Sequence, residues 1–184
     1  MNGHHAKRSQ PLRGILVGAV AGLAGAYLKS AAEPPLQTLT EHYFPPTNAE
    51  KQMIGADPTG RIDHMPPAEM IEAAADATGH EISKGQKLAA QQVVHYTLGA
   101  GLGAAYGLLA EYQPAVTRGA GVPAGAVMYA LTHGSAVPAT GFQNPPWKLP
   151  LSAVLWEAGS HLVFGLGVEL GRRALVRLLE KAGD

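Results

Sequence analysis

The chain has 184 residues, no cysteine, and a formal charge balanced between 14 basic and 14 acidic side chains. That length allows one domain or one domain with an ordered insertion. Balanced charge excludes a global basic footprint for nucleic acid, and the lack of cysteine excludes disulfides, thiolate metal sites and cysteine nucleophiles. Charged residues make up only 15% of the sequence, against roughly 25% in soluble domains. Many of the 23 glycines lie inside apolar runs, a pattern suited to membrane helices. The mean hydropathy of +0.01 is low for a membrane protein, so the charges must be segregated along the chain.

The first apolar run, "GILVGAVAGLAGAYL", extends to a candidate span over 12–32 with its flanks, since about 20 residues are needed to cross a bilayer. A signal peptide is the competing reading, with "HHAKRSQPLR" as its basic region and "AGA" as its cleavage site. Residues 33–87 form an outer, periplasmic segment in which "EPPLQTLTEHYFPPT" is expected to be extended. "PPAEMIEAAADATG" reads there as a short amphipathic helix, with Met70, Ile71 and Ala74 at helical spacing. The second span covers 88–112 and the third 119–137, the latter containing Pro123 and followed by Pro138. An outer loop over 138–148 carries Trp147 as an interfacial anchor, and the fourth span covers 149–170. The expected fold is therefore all-α, a four-span transmembrane helical bundle with that outer segment between spans one and two.

Charge orients this arrangement. Lys7, Arg8, Arg13, Arg118, Arg172, Arg173, Arg177 and Lys181 fall on one side, whereas Lys29–Lys87 carries nine acids against five bases. The positive-inside rule places 1–11 and the basic C-terminus, 171–184, in the cytoplasm. The expected location is a bacterial inner membrane, with the lipid bilayer as the main partner. Glycines recur every fourth residue at Gly14/Gly18/Gly22 and Gly99/Gly103/Gly107, with further pairs at Gly121/Gly125 and Gly167/Gly171. Such faces let helices approach closely, within one bundle or in a homo-oligomer.

Ionisable residues interrupt the apolar runs. Lys29 and Glu33 stand one helical turn apart at the outer end of span one, as an interfacial ion pair would. His95, His133, Glu157 and His161 come from three spans and fall in the outer half of the membrane. His95 and Glu157 share a depth of roughly 10–12 Å at 1.5 Å per residue. Such residues face the bundle interior or a wet cavity. Three uses stay open for them: a structural cluster of interhelical hydrogen bonds, a proton or solute pathway, or a site for Zn, Fe or haem. No cofactor is favoured, and an enzyme is the lesser expectation. His4, His5, His42, His64 and His80 lie outside the spans without an assigned role.

"GLAGAYLKSAAEPPL", "VVHYTLGAGLGAAYGLLAEYQP", His133, the "LP" before span four, "E…GSHLVF" and "VELGRR" resemble the YagU-like bacterial inner-membrane proteins. The resemblance covers the four spans and is strongest over the last fifty residues, while the outer segment 40–85 departs from it. It implies a multi-pass inner-membrane protein in a family loosely linked with acid tolerance. Lys29, Glu33, His95, His133, Glu157 and His161 match that family's polar positions, and the resemblance implies no catalytic residue.

Overall fold

The computed structural model describes residues 10–54, 57–60, 63 and 65–183, and these are helical apart from turns and connections. Lys7, Arg8, His4, His5 and His64 lie outside the described residues. The helices are α1 (Pro11–Tyr43), α2 (Asn48–Ile54), α3 (Pro66–Ala77), α4 (Lys84–Tyr112), α5 (Val122–Leu131), α6 (Val137–Thr140) and α7 (Leu151–Ala182). Among the described residues, α1, α4 and α7 are long and apolar enough to cross a membrane.

Helix α1 overturns one expectation. "EPPLQTLTEHY" is helical rather than extended, and Pro34 and Pro35 lie inside a helix of 33 residues. Each proline withholds an N–H, leaving the Ser30 and Ala31 carbonyls without their usual partner. The helix survives because its flanks are packed on α4 and α7. At 1.5 Å per residue it is about 50 Å long, well beyond the roughly 30 Å of hydrocarbon. Its last turns therefore have length to spare for other contacts.

The long helices are antiparallel neighbours, held at close range by glycine. A Cβ on Gly14 would meet the Gly107 carbonyl, one on Gly18 the Gly103 carbonyl, and one on Gly22 the Gly99 carbonyl. On another face, Gly25 abuts Phe164 and Val168 of α7, and Gly171 abuts Ala21. Helix α5 packs antiparallel on α7 in the same way, with Gly121 facing Gly165 and Gly125 facing the His161 carbonyl. Gly121 also has φ +82°, which an L side chain would strain. The periodic glycines thus meet partners inside one chain. The packing order is α4–α1–α7–α5, and the extensive contacts include none along α4 and α5. A cleft remains on that side.

The third expected span is a composite. Helix α5 gives way to one π turn, Thr132–Ala136, in which the Val137 N–H reaches back five residues to the Thr132 carbonyl. Pro138 follows and has no N–H of its own, so the register change falls where the ladder is already interrupted. Helix α4 starts cleanly at a capping box, Ser83 with Gln86. Helix α3 packs on α4, with the Lys87 ammonium 2.5 Å from Glu72 and 3.9 Å from Glu69.

The turn at 57–60 is docked on the extension of α1. Asp57 Oδ1 accepts hydrogen bonds from Gln37 Nε2 (2.9 Å), the Gly60 N–H (2.9 Å), and the Thr59 N–H (3.3 Å) and hydroxyl (3.1 Å). Partial burial pushes the carboxyl up, but these four donors outweigh it and hold its pKa below the ordinary 3.8. A carboxyl depressed by folding stabilises the docked turn above the unfolded pKa and loses that contribution as pH falls through the folded one. Hydrogen exchange at the Thr59 and Gly60 amides should stay protected at pH 6 and lose protection only below pH 3.8. Asp57→Asn should abolish the acid transition. Protection lost well above that pH would show that Asp57 does not hold the turn.

Candidate functional site

A cavity of about 440 Å³ lies on the concave side of the helix row. Ala26, Lys29, Ser30 and Glu33 of α1 form its floor, Gln91, His95, Leu98 and Leu102 of α4 one wall, and Thr132 and His133 the other. Trp156, Glu157, His161 and Phe164 of α7 complete it, while Pro58, Met65, Pro66, Pro67 and Met70 cover one end. All six ionisable residues singled out from the sequence border this one space.

They do not form a single cluster. Glu157 is 1% exposed, and its carboxylate accepts a hydrogen bond from Gln143 Nε2 through Oε1. Its other oxygen, Oε2, is buried with no partner and stands 3.6 Å from His133 Nδ1. Gln143 Oε1 in turn contacts His133 Nδ1 at 2.7 Å. An amide that donates to a carboxylate must present its oxygen to the imidazole, so His133 carries its proton on Nδ1. Its Nε2 is left as the basic nitrogen. Gln143 thus bridges the acid and the base.

His161 is oriented by its own helix. Its Nδ1 lies 2.7 Å from the Glu157 carbonyl, which can only accept, so Nδ1 holds the proton here too. Its Nε2 meets Thr132 Oγ1 at 3.4 Å, but that hydroxyl donates to the Met128 carbonyl at 2.7 Å. The His161–Thr132 contact therefore gains a hydrogen only when the imidazole is protonated or the hydroxyl turns. The His133 and His161 rings are 5.0 Å apart, and Tyr129 lies against both.

His95 belongs to a different group. Its Nε2 sits 2.9 Å from Ser30 Oγ and 3.2 Å from the Ala26 carbonyl, tying α4 to α1. Lys29 and Glu33 pair with each other, and their side chains are 12% and 8% exposed. The pair faces the cavity. Among the described residues, no group of three or more His, Asp or Glu side chains is placed to hold one metal ion. Each imidazole has a nitrogen already committed to a protein oxygen.

Two features of this region escape a reading by sequence. Gln143 sits in a loop, where nothing marks a glutamine that folds back into the bundle. Gln91 looks like an ordinary polar residue near the start of α4. At the opposite end of the molecule, Glu169 is fully buried and accepts from Tyr106, Arg172 and Arg173. There the Glu-x-x-Arg-Arg spacing is a visible signal, because residues three and four apart share a helix face.

No curated protein and no solved structure matches this chain. Residues 36–170, more than two-thirds of the sequence, match a family described as "Protein of unknown function (DUF1440)". That match begins in the C-terminal third of α1 and runs well into α7, so it contains the whole cavity except for the α1 floor. The chain belongs to the DUF1440 family.

Proposed function

We propose that this protein is a four-span bacterial inner-membrane protein that conducts protons across the membrane by way of a chamber inside the helix bundle, in support of acid homeostasis. Helices α1, α4 and α7 are the apolar spans, and the composite α5–π–α6 segment crosses as the third span in chain order. The amphipathic α3 rests at the outer surface. Trp147, 78% exposed, suits the outer interface, and Arg13, Arg118, Arg172 and Arg173 suit the cytoplasmic one. The likeness to YagU-like proteins supports the same membrane and orientation.

One observation carries the proton reading. Glu157 is a buried carboxylate with one oxygen unpartnered, close to an imidazole and bordering a cavity. A carboxylate so placed gains more from accepting a proton than one with both oxygens paired. The other charged or titratable groups facing the chamber are Lys29 and Glu33 on α1, His95 on α4, His133 on the π turn and His161 on α7. The Nε2 atoms of His133 and His161 carry no proton in the tautomers set by their Nδ1 contacts, so each can accept a proton beside Glu157. The lack, among the described residues, of three His, Asp or Glu side chains converging on one point gives the metal alternative less support.

Proton uptake by liposomes holding the purified protein and an internal pH dye tests this reading. An acid step outside should acidify the lumen, with the rate falling at least tenfold in Glu157→Gln and several-fold in His161→Ala. Unchanged flux in both variants, with the fold intact by circular dichroism, would sink the proposal.

A further inference from the structure

The chamber holds two buried acceptors without a donor. They are Glu157 Oε2 on α7 and Gln91 Oε1 on α4, from residues 1% and 9% exposed. A buried polar atom left unpaired costs free energy, and two bordering one cavity point to a missing donor. Several nearby protein donors are engaged, the Lys29 ammonium with Glu33, the Gln143 amide with Glu157 Oε1 and the His161 Nδ1–H with a backbone carbonyl, whereas the Tyr129 hydroxyl is buried without a partner.

Most of the remaining lining is apolar, and two of its residues are aromatic, Trp156 and Phe164, with Leu98 and Leu102 beside them. With neutral imidazoles and ionised carboxylates, Lys29 against Glu33 and Glu157 leaves one negative charge in excess. Aromatic faces and a surplus carboxylate favour a cation, and orphaned acceptors favour one that carries N–H groups. The volume of about 440 Å³ falls in the range of about 300–1,000 Å³ typical of small-molecule sites. The cleft between α4 and α5 offers a way in from the side.

We infer that the chamber binds a protonated primary amine carried on an apolar body, its ammonium between Glu157 and Gln91 and its apolar part against Leu98, Leu102 and Phe164. The inference rests on the reading of the chamber as accessible space around an exchangeable Glu157, and it names what shares that carboxylate with the proton. A free amphipathic amine and the ammonium headgroup of a membrane lipid have the same chemistry.

Two measurements on the full-length protein test it. In dodecylmaltoside micelles, calorimetry with 2-phenylethylammonium should show saturable binding, and 2-phenylethanol and 3-phenylpropionate should show none. Glu157→Gln should weaken the ammonium at least tenfold and Gln91→Leu several-fold. Gln91→Leu removes an orphaned acceptor rather than a bonded one, so it should fold and serve if Glu157→Gln does not. In nanodiscs of equal phosphatidylethanolamine and phosphatidylcholine, mass spectrometry identifies the lipid that stays with the protein. Selective phosphatidylethanolamine retention, lost in the same variants, would assign the amine to a lipid headgroup, whereas binding of 2-phenylethylammonium alone would assign it to a free solute. Equal binding of the alcohol, binding that survives the substitutions, or neither ligand bound would overturn the inference. Proton flux that depends on Glu157 without amine binding removes this inference alone, and amine binding without flux removes the proton reading alone.

Discussion

Gly103→Ala is expected to be among the most damaging single-methyl additions in the molecule, with Gly101→Ala two residues away close to neutral. A Cβ at Gly103 would strike the Gly18 carbonyl oxygen and would lie 2.6 Å from Gly22 Cα and 2.8 Å from Gly22 N. All three are backbone atoms, so no side chain can rotate aside and the two helices must separate. At Gly101 nothing lies within 4 Å of the added carbon. Separation costs more than the one contact, because Gly14, Gly18 and Gly22 face Gly107, Gly103 and Gly99 along the same seam. In lipid there is no water to expel between helices, so close packing supplies most of the association energy. We expect Gly103→Ala at the upper end of the about 1–3 kcal/mol typical of overpacking. Unfolding in mixed micelles titrated with dodecyl sulfate checks this. Adding Gly18→Ala to Gly103→Ala should cost less than the sum, since both force the same separation. A Gly103→Ala protein as stable as Gly101→Ala would show that α1 and α4 do not meet along this seam.

That seam was legible as a spacing but not as a pairing. A glycine every fourth residue announces a close approach, yet it does not say which helix comes close, nor that α1 uses a second face against α7. The ionisable residues behaved similarly. Their apolar surroundings and helical spacing brought Lys29, Glu33, His95, His133, Glu157 and His161 to one cavity, while the split into separate groups depends on side-chain directions that spacing leaves free. His95 turns to Ser30 and the Ala26 carbonyl; His133 and Glu157 meet through Gln143. The bridging glutamine comes from a loop whose path is decided by tertiary packing, which no local pattern encodes. Pro34 and Pro35 misled for the opposite reason. Local preference opposes a proline pair within a helix, and contact with two neighbouring helices overrides it. The π turn before Pro138 is a third case, a register change that hydropathy alone does not report.

Glu169→Ala is expected to loosen its own end of the molecule while leaving the chamber at the opposite end assembled. The Glu169 carboxylate is fully buried. Arg172 reaches it with two nitrogens, at 2.7 and 3.0 Å, Arg173 with one at 2.6 Å, and the Tyr106 hydroxyl at 3.0 Å. All of these donors converge on one carboxylate, so the group functions as a unit. Tyr106 stands on α4 and the other three on α7, and these helices are otherwise joined mainly through α1. Removing one member of a buried ion pair costs about 3–5 kcal/mol. The two arginines retain partial access to water, at 17% and 43% exposed, which places the expected loss near the lower end of that range. Glu169→Gln should lie between wild type and Ala, because it keeps the Tyr106 hydrogen bond and gives up the charge. Tyr106→Phe, which leaves both arginines paired, should cost only about 0.5–1.5 kcal/mol. Unfolding titrations rank the three variants, and exchange protection around Glu157 reports on the chamber. If Glu169→Ala and Tyr106→Phe cost the same, the arginines contribute nothing beyond solvated charge. If protection at Glu157 collapses along with the Glu169 end, the two sites form one cooperative unit, and the chamber cannot open without disturbing the far end of the bundle.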